Sequence, residues 1–117
     1  MTFAQAVLTA ASLGLSVNVL SDGRVRVVGD ARHGEAARDL LAHKQQVIRT
    51  LADGKFGLDW FSGQHFGRRP EPCRHCQRPA GLRDDDGRPA HKVCAEAAVL
   101  VALQDMSTSR TPALAAS

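Results

Sequence analysis

The spacing of three cysteines and one histidine constrains this chain more than any other feature of its sequence. Cys73 and Cys76 form a C-x2-C pair, and His91 and Cys94 form an H-x2-C pair after an intervening loop. Two short-spaced pairs of sulfur and imidazole ligands can converge on one tetrahedral ion, the arrangement that structural zinc sites use. We therefore predict that these four residues bind one structural Zn²⁺ and that the ion organises the second half of the chain.

The two ligand pairs resemble those of a treble-clef or zinc-ribbon finger that ends in a helix. His75 lies inside the first pair, where binding the same ion would strain the short loop, so we expect it outside the ligand set. Three buried thiols without a metal are one alternative. A redox C-x2-C site is the other, but neither a βαβ pattern nor an activating helix follows Cys73.

The length and composition limit the class of protein. A chain of 117 residues allows one domain or two very small ones and excludes a large enzyme fold. The sequence has no apolar run of about 18 residues and no secretory pattern, so we expect no membrane span and a cytoplasmic protein. It also has no G-x-S-x-G motif and no phosphate-binding glycine loop, which predicts that the protein is not an enzyme.

The first segment opens with a helix signal. Thr2 can cap a helix, and Gln5, three residues later, can complete a capping box. The helical spacing of Phe3, Val7 and Ala10 predicts one buried face. Gly14 then stands where a left-handed residue ends a helix.

A hairpin is predicted next, because alternating apolar residues lie on both sides of the turn at Ser21, Asp22 and Gly23. A three-residue loop with Gly23 left-handed places Val19 opposite Val25 and Val17 opposite Val27. One face of the hairpin is then apolar, and the other carries Ser16, Asn18, Arg24 and Arg26.

After a break at residues 29–34, apolar residues recur at helical spacing and predict one helix from Ala37 to about Ala52. The predicted fold class is α+β: a small αββα(α) unit with a β-hairpin, joined to a zinc-finger unit that ends in a helix. We divide the chain into the first unit (1–53), an aromatic and basic connector (54–72), the finger (73–105) and a flexible tail (106–117).

Several runs in residues 4–52 carry a family resemblance: 14–17 (GLSV), 22–23 (DG), 24–27 (RVRV) and 40–44 (LLAHK), followed by Val47 and Leu51. They resemble the TubC-type N-terminal docking domain of polyketide and peptide synthetases. The resemblance implies an αββαα module, commonly dimeric, whose hairpin captures a short acidic peptide. It also implies partner contacts at Arg24, Val25, Arg26 and Val27. The alternative is that the two arginines only protect an edge strand from aggregation.

The connector and finger add aromatic and basic residues. We expect the aromatic residues of the connector to pack the two halves together, with base stacking as the alternative; they are Phe56, Trp60, Phe61 and Phe66. The candidate phosphate contacts are Arg68, Arg69, Arg74, Arg78 and Lys92. The acidic run 84–86 argues against a uniform DNA-binding face. The helix after Cys94 is apolar nearly all round, so the first segment or a second copy of the chain should cover it.

These observations lead to two predictions of function. The first is a non-enzymatic adaptor with a structural zinc site, which binds a protein partner through the hairpin edge or an apolar helix and is compatible with a homodimer. The alternative is a small nucleic-acid-binding accessory protein of a phage or plasmid replication system. Phosphate-mediated binding weakens steeply with salt, whereas strand addition keeps a salt-resistant part.

Overall fold

The computed structural model describes residues 2–58, 60 and 65–108. Within them the fold is α+β, with four α-helices and two antiparallel two-stranded sheets, which confirms the predicted class. The elements are α1 (Phe3–Ser12), β1 (Ser16–Val19), β2 (Val25–Val28), α2 (Gly34–Leu41), α3 (Lys44–Asp53), β3 (Phe66–Pro72), β4 (Pro79–Leu82) and α4 (Lys92–Thr108).

The predicted start and end of α1 are confirmed. The Thr2 hydroxyl accepts a hydrogen bond from the Gln5 amide, and the Gln5 side chain accepts one from the Thr2 amide. Three apolar side chains of the predicted face, those of Phe3, Val7 and Ala10, are buried. Gly14 has a φ of 76°, so the chain reverses there in the left-handed conformation that glycine adopts without strain.

The predicted register of the first hairpin is also confirmed. Val17 lies opposite Val27, and Val19 lies opposite Val25. Gly23 has a φ of 86°, as the three-residue loop requires. The register follows from the turn because the number of loop residues decides which side chains share a face.

The single helix predicted from Ala37 to Ala52 is wrong, because the chain bends between α2 and α3. The His43 amide donates to the Leu40 carbonyl at 2.9 Å and closes a tight turn, after which the Val47 amide donates to the His43 carbonyl. The His43 ring packs edge-on against Phe3, with ring centroids 5.9 Å apart. The apolar spacing on both sides of the bend suits a helix, so periodicity did not reveal the bend.

Helix α4 belongs to the core of the N-terminal half. Its buried side chains Val99, Leu103 and Met106 pack in one cluster with residues of α1, β1, α2 and α3. The first segment of the same chain therefore covers this face of α4, which was one of the two predicted alternatives. The helix continues through Thr108, so the first three residues of the predicted tail are helical, and 109–117 lie outside the described residues.

The connector contains structure that the sequence did not reveal, since β3 lies within it. Phe56 contacts Phe3 with ring centroids 5.4 Å apart, and buried Trp60 stacks on His65 at 5.0 Å. These two aromatics are packed, and their role in holding the two halves together stays a prediction. Phe66 is not packed, because 60% of its surface is exposed. Phe61 lies outside the described residues.

No helix in the described part of the chain is long and apolar enough to span a membrane.

Candidate metal centre

The second hairpin and the start of α4 position the four predicted ligands. Cys73 follows β3, and a turn carries the chain past Cys76 to β4. The turn closes where the Cys73 amide donates to the Arg78 carbonyl at 2.8 Å, and Gln77 has a left-handed φ of 69°. His91 directly precedes α4, and Cys94 lies in its first turn, so the two side chains face the same way.

The ligand atoms of Cys73, Cys76, His91 and Cys94 all lie within 4.8 Å of one another. The His91 Nδ1 atom is 3.3 Å from the Cys76 Sγ atom and 3.7 Å from the Cys94 Sγ atom. Zinc–sulfur bonds of about 2.3 Å and zinc–nitrogen bonds of about 2.0–2.1 Å at tetrahedral angles imply a sulfur–nitrogen separation of about 3.6 Å. The arrangement is therefore compatible with a metal site, both in its donor types and in its dimensions.

The His91 ring is oriented by a hydrogen bond on its other side. Its Nε2 atom lies 2.9 Å from the Pro79 carbonyl oxygen, an acceptor that requires the ring proton on Nε2. This leaves the Nδ1 lone pair directed toward the sulfur atoms. Such a partner fixes the tautomer and the orientation of metal-binding histidines.

The thiols differ in acidity. Burial of Cys73 opposes its ionisation, but backbone amides that include those of His91, Cys76 and His75 lower the pKa of its thiol to about 6. Two of these amides, on His75 and His91, lie 3.4 and 3.5 Å from the Cys73 Sγ atom.

The thiol of Cys94 is shifted the other way. Burial first, and then the neighbouring Cys76 and Cys73 sulfurs, raise the pKa of Cys94 to about 11. A cation bound among the three sulfurs would offset the repulsion between thiolates. The thiols would then ionise, so metal binding would release protons.

The cluster lies at the edge of a small apolar core. Cys73 is fully buried beside Trp60, Ala80, Ala90 and Ala95, whereas Cys76 is exposed. His75 is exposed and is not part of the cluster, as predicted.

The acidic run 84–86 connects this cluster to α1. Arg74, next to Cys73, donates to Asp84 at 2.7 Å and to Asp86 at 3.2 Å. The Thr2 hydroxyl donates to Asp85 at 2.7 Å, and the Gln5 side-chain amide donates to Asp86 at 3.2 Å. No local sequence signal indicates the contacts of Thr2 and Gln5, because their partners are about eighty residues away in the chain.

The five candidate phosphate contacts divide into two groups. Arg74 is paired with the acidic run, and Lys92 is paired with Glu96 at 2.6 Å. The other three, Arg68, Arg69 and Arg78, are exposed, and the described part of the structure shows no carboxylate paired with them.

The four candidate partner contacts are likewise not equivalent. Arg24 is paired with Asp22 at 2.6 Å, whereas Arg26 is exposed. Val25 and Val27 are half-buried and pack against the main core, so their side chains are only partly available to a partner.

An open groove of about 720 Å³ runs along β1. It is lined by Val17, Asn18, Val19, Leu20, Ile48, Leu51, Ala52, Gln104 and Ser107. Four consecutive residues of the strand and turn border it. Because successive strand side chains point to opposite faces, such a lining shows that the strand edge borders the groove.

The docking-domain resemblance stays a prediction, and so does the assignment to a zinc-finger family. Comparisons of the chain with protein-family models, with curated proteins and with solved structures found no match in any of the three.

Proposed function

We propose that this chain is a non-enzymatic protein-interaction module, held together by one structural Zn²⁺ and binding an extended acidic segment of a partner along β1. Zinc is favoured because the donor set is three sulfurs and one imidazole. A treble-clef finger is the class that we favour, because a helix that carries the second ligand pair follows the hairpin whose turn carries the first. Four protein ligands leave no open position for a reacting water, which supports a structural role.

The edge of β1 carries the proposal of strand capture. The Leu20 amide donates to the Arg24 carbonyl at 2.8 Å, so the alternate pair of Asn18 and Arg26 is also of the hydrogen-bonded kind. The amides and carbonyls of Val17 and Val19 therefore point away from β2. Among the described residues, no backbone group is hydrogen-bonded to them on that side.

The groove beside that edge suits an added strand. The outward backbone groups of Val19, which is 41% exposed, can pair with a partner's main chain, whereas Val17 is buried. Apolar side chains such as Ile48 and Leu51 can accept alternate partner side chains. Arg26 supplies a positive charge that no described carboxylate neutralises, and this favours an acidic segment.

Native mass spectrometry tests the metal. We expect the folded chain to carry one zinc ion. A folded chain that stays free of metal in the presence of zinc would contradict this part of the proposal.

A displayed library of random peptides of about ten residues tests strand capture, with the zinc-loaded full chain as bait. We expect enriched peptides that alternate apolar and acidic residues and retain binding at about 0.5 M salt. Val19→Pro should weaken their binding, because it removes an outward amide while leaving the ladder to β2 intact.

Charge reversal supplies the matched control for this experiment. Arg26→Glu should weaken the selected peptides, whereas Arg69→Glu, the same change on the second hairpin, should not. Enriched peptides that bind the Val19→Pro variant as well as the original chain would contradict capture at this edge.

A further inference from the structure

The second hairpin contains a large bulge. Phe66 pairs with Leu82 and Glu71 pairs with Ala80, so residues 67–70 of β3 lie opposite the single residue Gly81 of β4. The extra residues of a bulge leave the ladder and re-aim their side chains. Two of the four, Arg68 and Arg69, are arginines, and both are exposed.

Arg83 links the bulge to β4 through hydrogen bonds. Its side chain is only 13% exposed, and its guanidinium donates to the carbonyls of Arg69, Ala80 and Leu82 at 2.9, 3.3 and 3.1 Å. It also donates to the Glu71 carboxylate at 2.6 Å. Gly67 lies directly against this guanidinium and has no side chain that would displace it.

The charge of the bulge is not compensated by its neighbours. The nearest acidic side chain of β3, Glu71, is already bonded to Arg83. In the described part of the chain, no carboxylate pairs with Arg68 or Arg69. These two guanidiniums are therefore available to an anion from outside the protein.

An exposed aromatic ring precedes the bulge. His65 turns inward and stacks on Trp60, so the next residue, Phe66, points outward and is 60% exposed. A large apolar ring at the surface, two residues before an uncompensated arginine, is the combination that binds unstacked bases and their phosphates.

We propose that the β3 bulge is a binding surface for single-stranded nucleic acid, in which Arg68 and Arg69 contact phosphates and Phe66 stacks on a base. This surface lies on the second hairpin and is independent of strand capture at β1. A single strand is favoured over a duplex because Phe66 requires a base that is not already stacked between its neighbours.

Fluorescence anisotropy with a labelled oligothymidylate of about 20 nucleotides tests this surface, using the zinc-loaded full chain at about 50 mM and about 200 mM salt. We expect saturable binding that weakens with salt. Phe66→Ala should weaken it at least about fivefold. The double variant Arg68→Ala/Arg69→Ala should weaken it further and reduce the magnitude of the salt slope by about 1.4, for two lost phosphate contacts.

Helix α3 provides a control of equal charge. Lys44→Ala/Arg49→Ala removes two exposed positive charges outside both proposed surfaces and should leave the affinity within about twofold of the original chain. These variants and those of the bulge change exposed side chains, and matching melting temperatures would confirm that they fold.

Arg83 is a positioning residue for this surface. Arg83→Lys keeps the net charge but loses the planar fork that reaches four acceptors. We expect it to reduce the salt slope as well as the affinity, because the two bulge arginines no longer face phosphates together. A lower affinity with an unchanged slope would contradict the positioning role.

Three other results would overturn the proposal. The first is no binding of the oligonucleotide at the lower salt concentration. The second is an equal loss in both double variants, which would indicate attraction by net charge alone. The third is a duplex that binds as tightly as the single strand and is insensitive to Phe66→Ala.

Discussion

His91 and His75 have opposite relations to the thiol cluster, although both are close to it in the sequence. His91 directs Nδ1 at two sulfurs and donates through Nε2 to Pro79, whereas His75 is exposed outside the cluster. Loss of an outer hydrogen-bond partner alone typically weakens metal affinity about 10–100-fold, so loss of a ligand should cost at least as much.

We therefore expect His91→Ala to lose zinc at concentrations that saturate the original chain, and His75→Ala to keep it. A zinc titration against a competing chelator measures both variants. Retention of full affinity by His91→Ala, or its loss in His75→Ala, would contradict the assignment of ligands.

Asp84 is the residue whose charge contributes a pH dependence at the junction of the two halves. Burial opposes its ionisation, but the guanidinium of Arg74 and the amides of Arg88 and Asp86 lower the pKa of Asp84. Since the folded pKa lies below the unfolded value of about 3.9, the stabilisation is present above that pH. It is lost as the pH falls through the folded pKa.

Asp84→Asn should lower the free energy of unfolding by about 1–2 kcal/mol at neutral pH. The difference between the two chains should vanish at acidic pH, where both side chains are neutral. Urea unfolding of both chains at several pH values measures that difference. Acid releases the metal from both chains alike, so metal release does not contribute to the difference. A difference that is constant with pH would show that Asp84 does not act through its charge.

Helix α4 connects the candidate metal centre to the core of the N-terminal half. Its N-terminal turn carries Cys94, and its later turns bury Val99 and Leu103 among the helices and the first strand of the N-terminal half. Leu103 is fully buried, whereas Val101, two residues earlier, is 53% exposed. The two positions provide a matched pair on one helix.

Leu103→Ala should lower the free energy of unfolding of the zinc-loaded chain by about 2–5 kcal/mol, because it leaves a cavity in the shared core. Val101→Ala should change it by less than about 1 kcal/mol. Chemical denaturation measures both. Equal losses would mean that α4 does not pack on the N-terminal half in the way described.

The elements also show where sequence reasoning succeeds. The capping box of Thr2, the register set by Gly23 and the clustering of the four candidate metal ligands were predictable, because each depends on residues close in sequence or on a known ligand spacing. The bend at His43 was not, because the apolar period continues through it.

Contacts between distant segments were equally out of reach. The pairing of Arg74 with the acidic run, and the bonds from Thr2 and Gln5 to that run, depend on how the segments assemble. The pair of Lys92 and Glu96 is different, because the two residues are four apart on one helix and such a pair is predictable from the sequence. Counting basic residues in the sequence therefore overstated the positive surface around the finger. The structure leaves Arg68 and Arg69 as the exposed pair on one bulge.

At the scale of the whole molecule, the candidate metal centre and the β1–β2 hairpin are connected by two routes. One is α4, and the other is the acidic run that joins Arg74 to the cap of α1. Zinc binding contributes directly to folding free energy in small metal-bound units. Its removal should therefore affect more than the second half.

We expect chelation of the metal to increase amide hydrogen exchange in α1, β1 and β2 as well as in β3, β4 and α4. Exchange measured by mass spectrometry on peptides from both halves tests this expectation. Faster exchange confined to residues 66–94 would show that the N-terminal half is stable without the centre.

The sharing of α4 has a consequence for how this chain can be divided. A fragment ending at residue 58 would keep the hairpin but uncover Val7, Val17 and Val47, which α4 shields in the whole chain. The complementary fragment would carry α4 with its apolar face exposed to solvent. Neither fragment should fold on its own. A fusion protein that contains the hairpin should therefore aggregate unless it also contains the C-terminal helix α4.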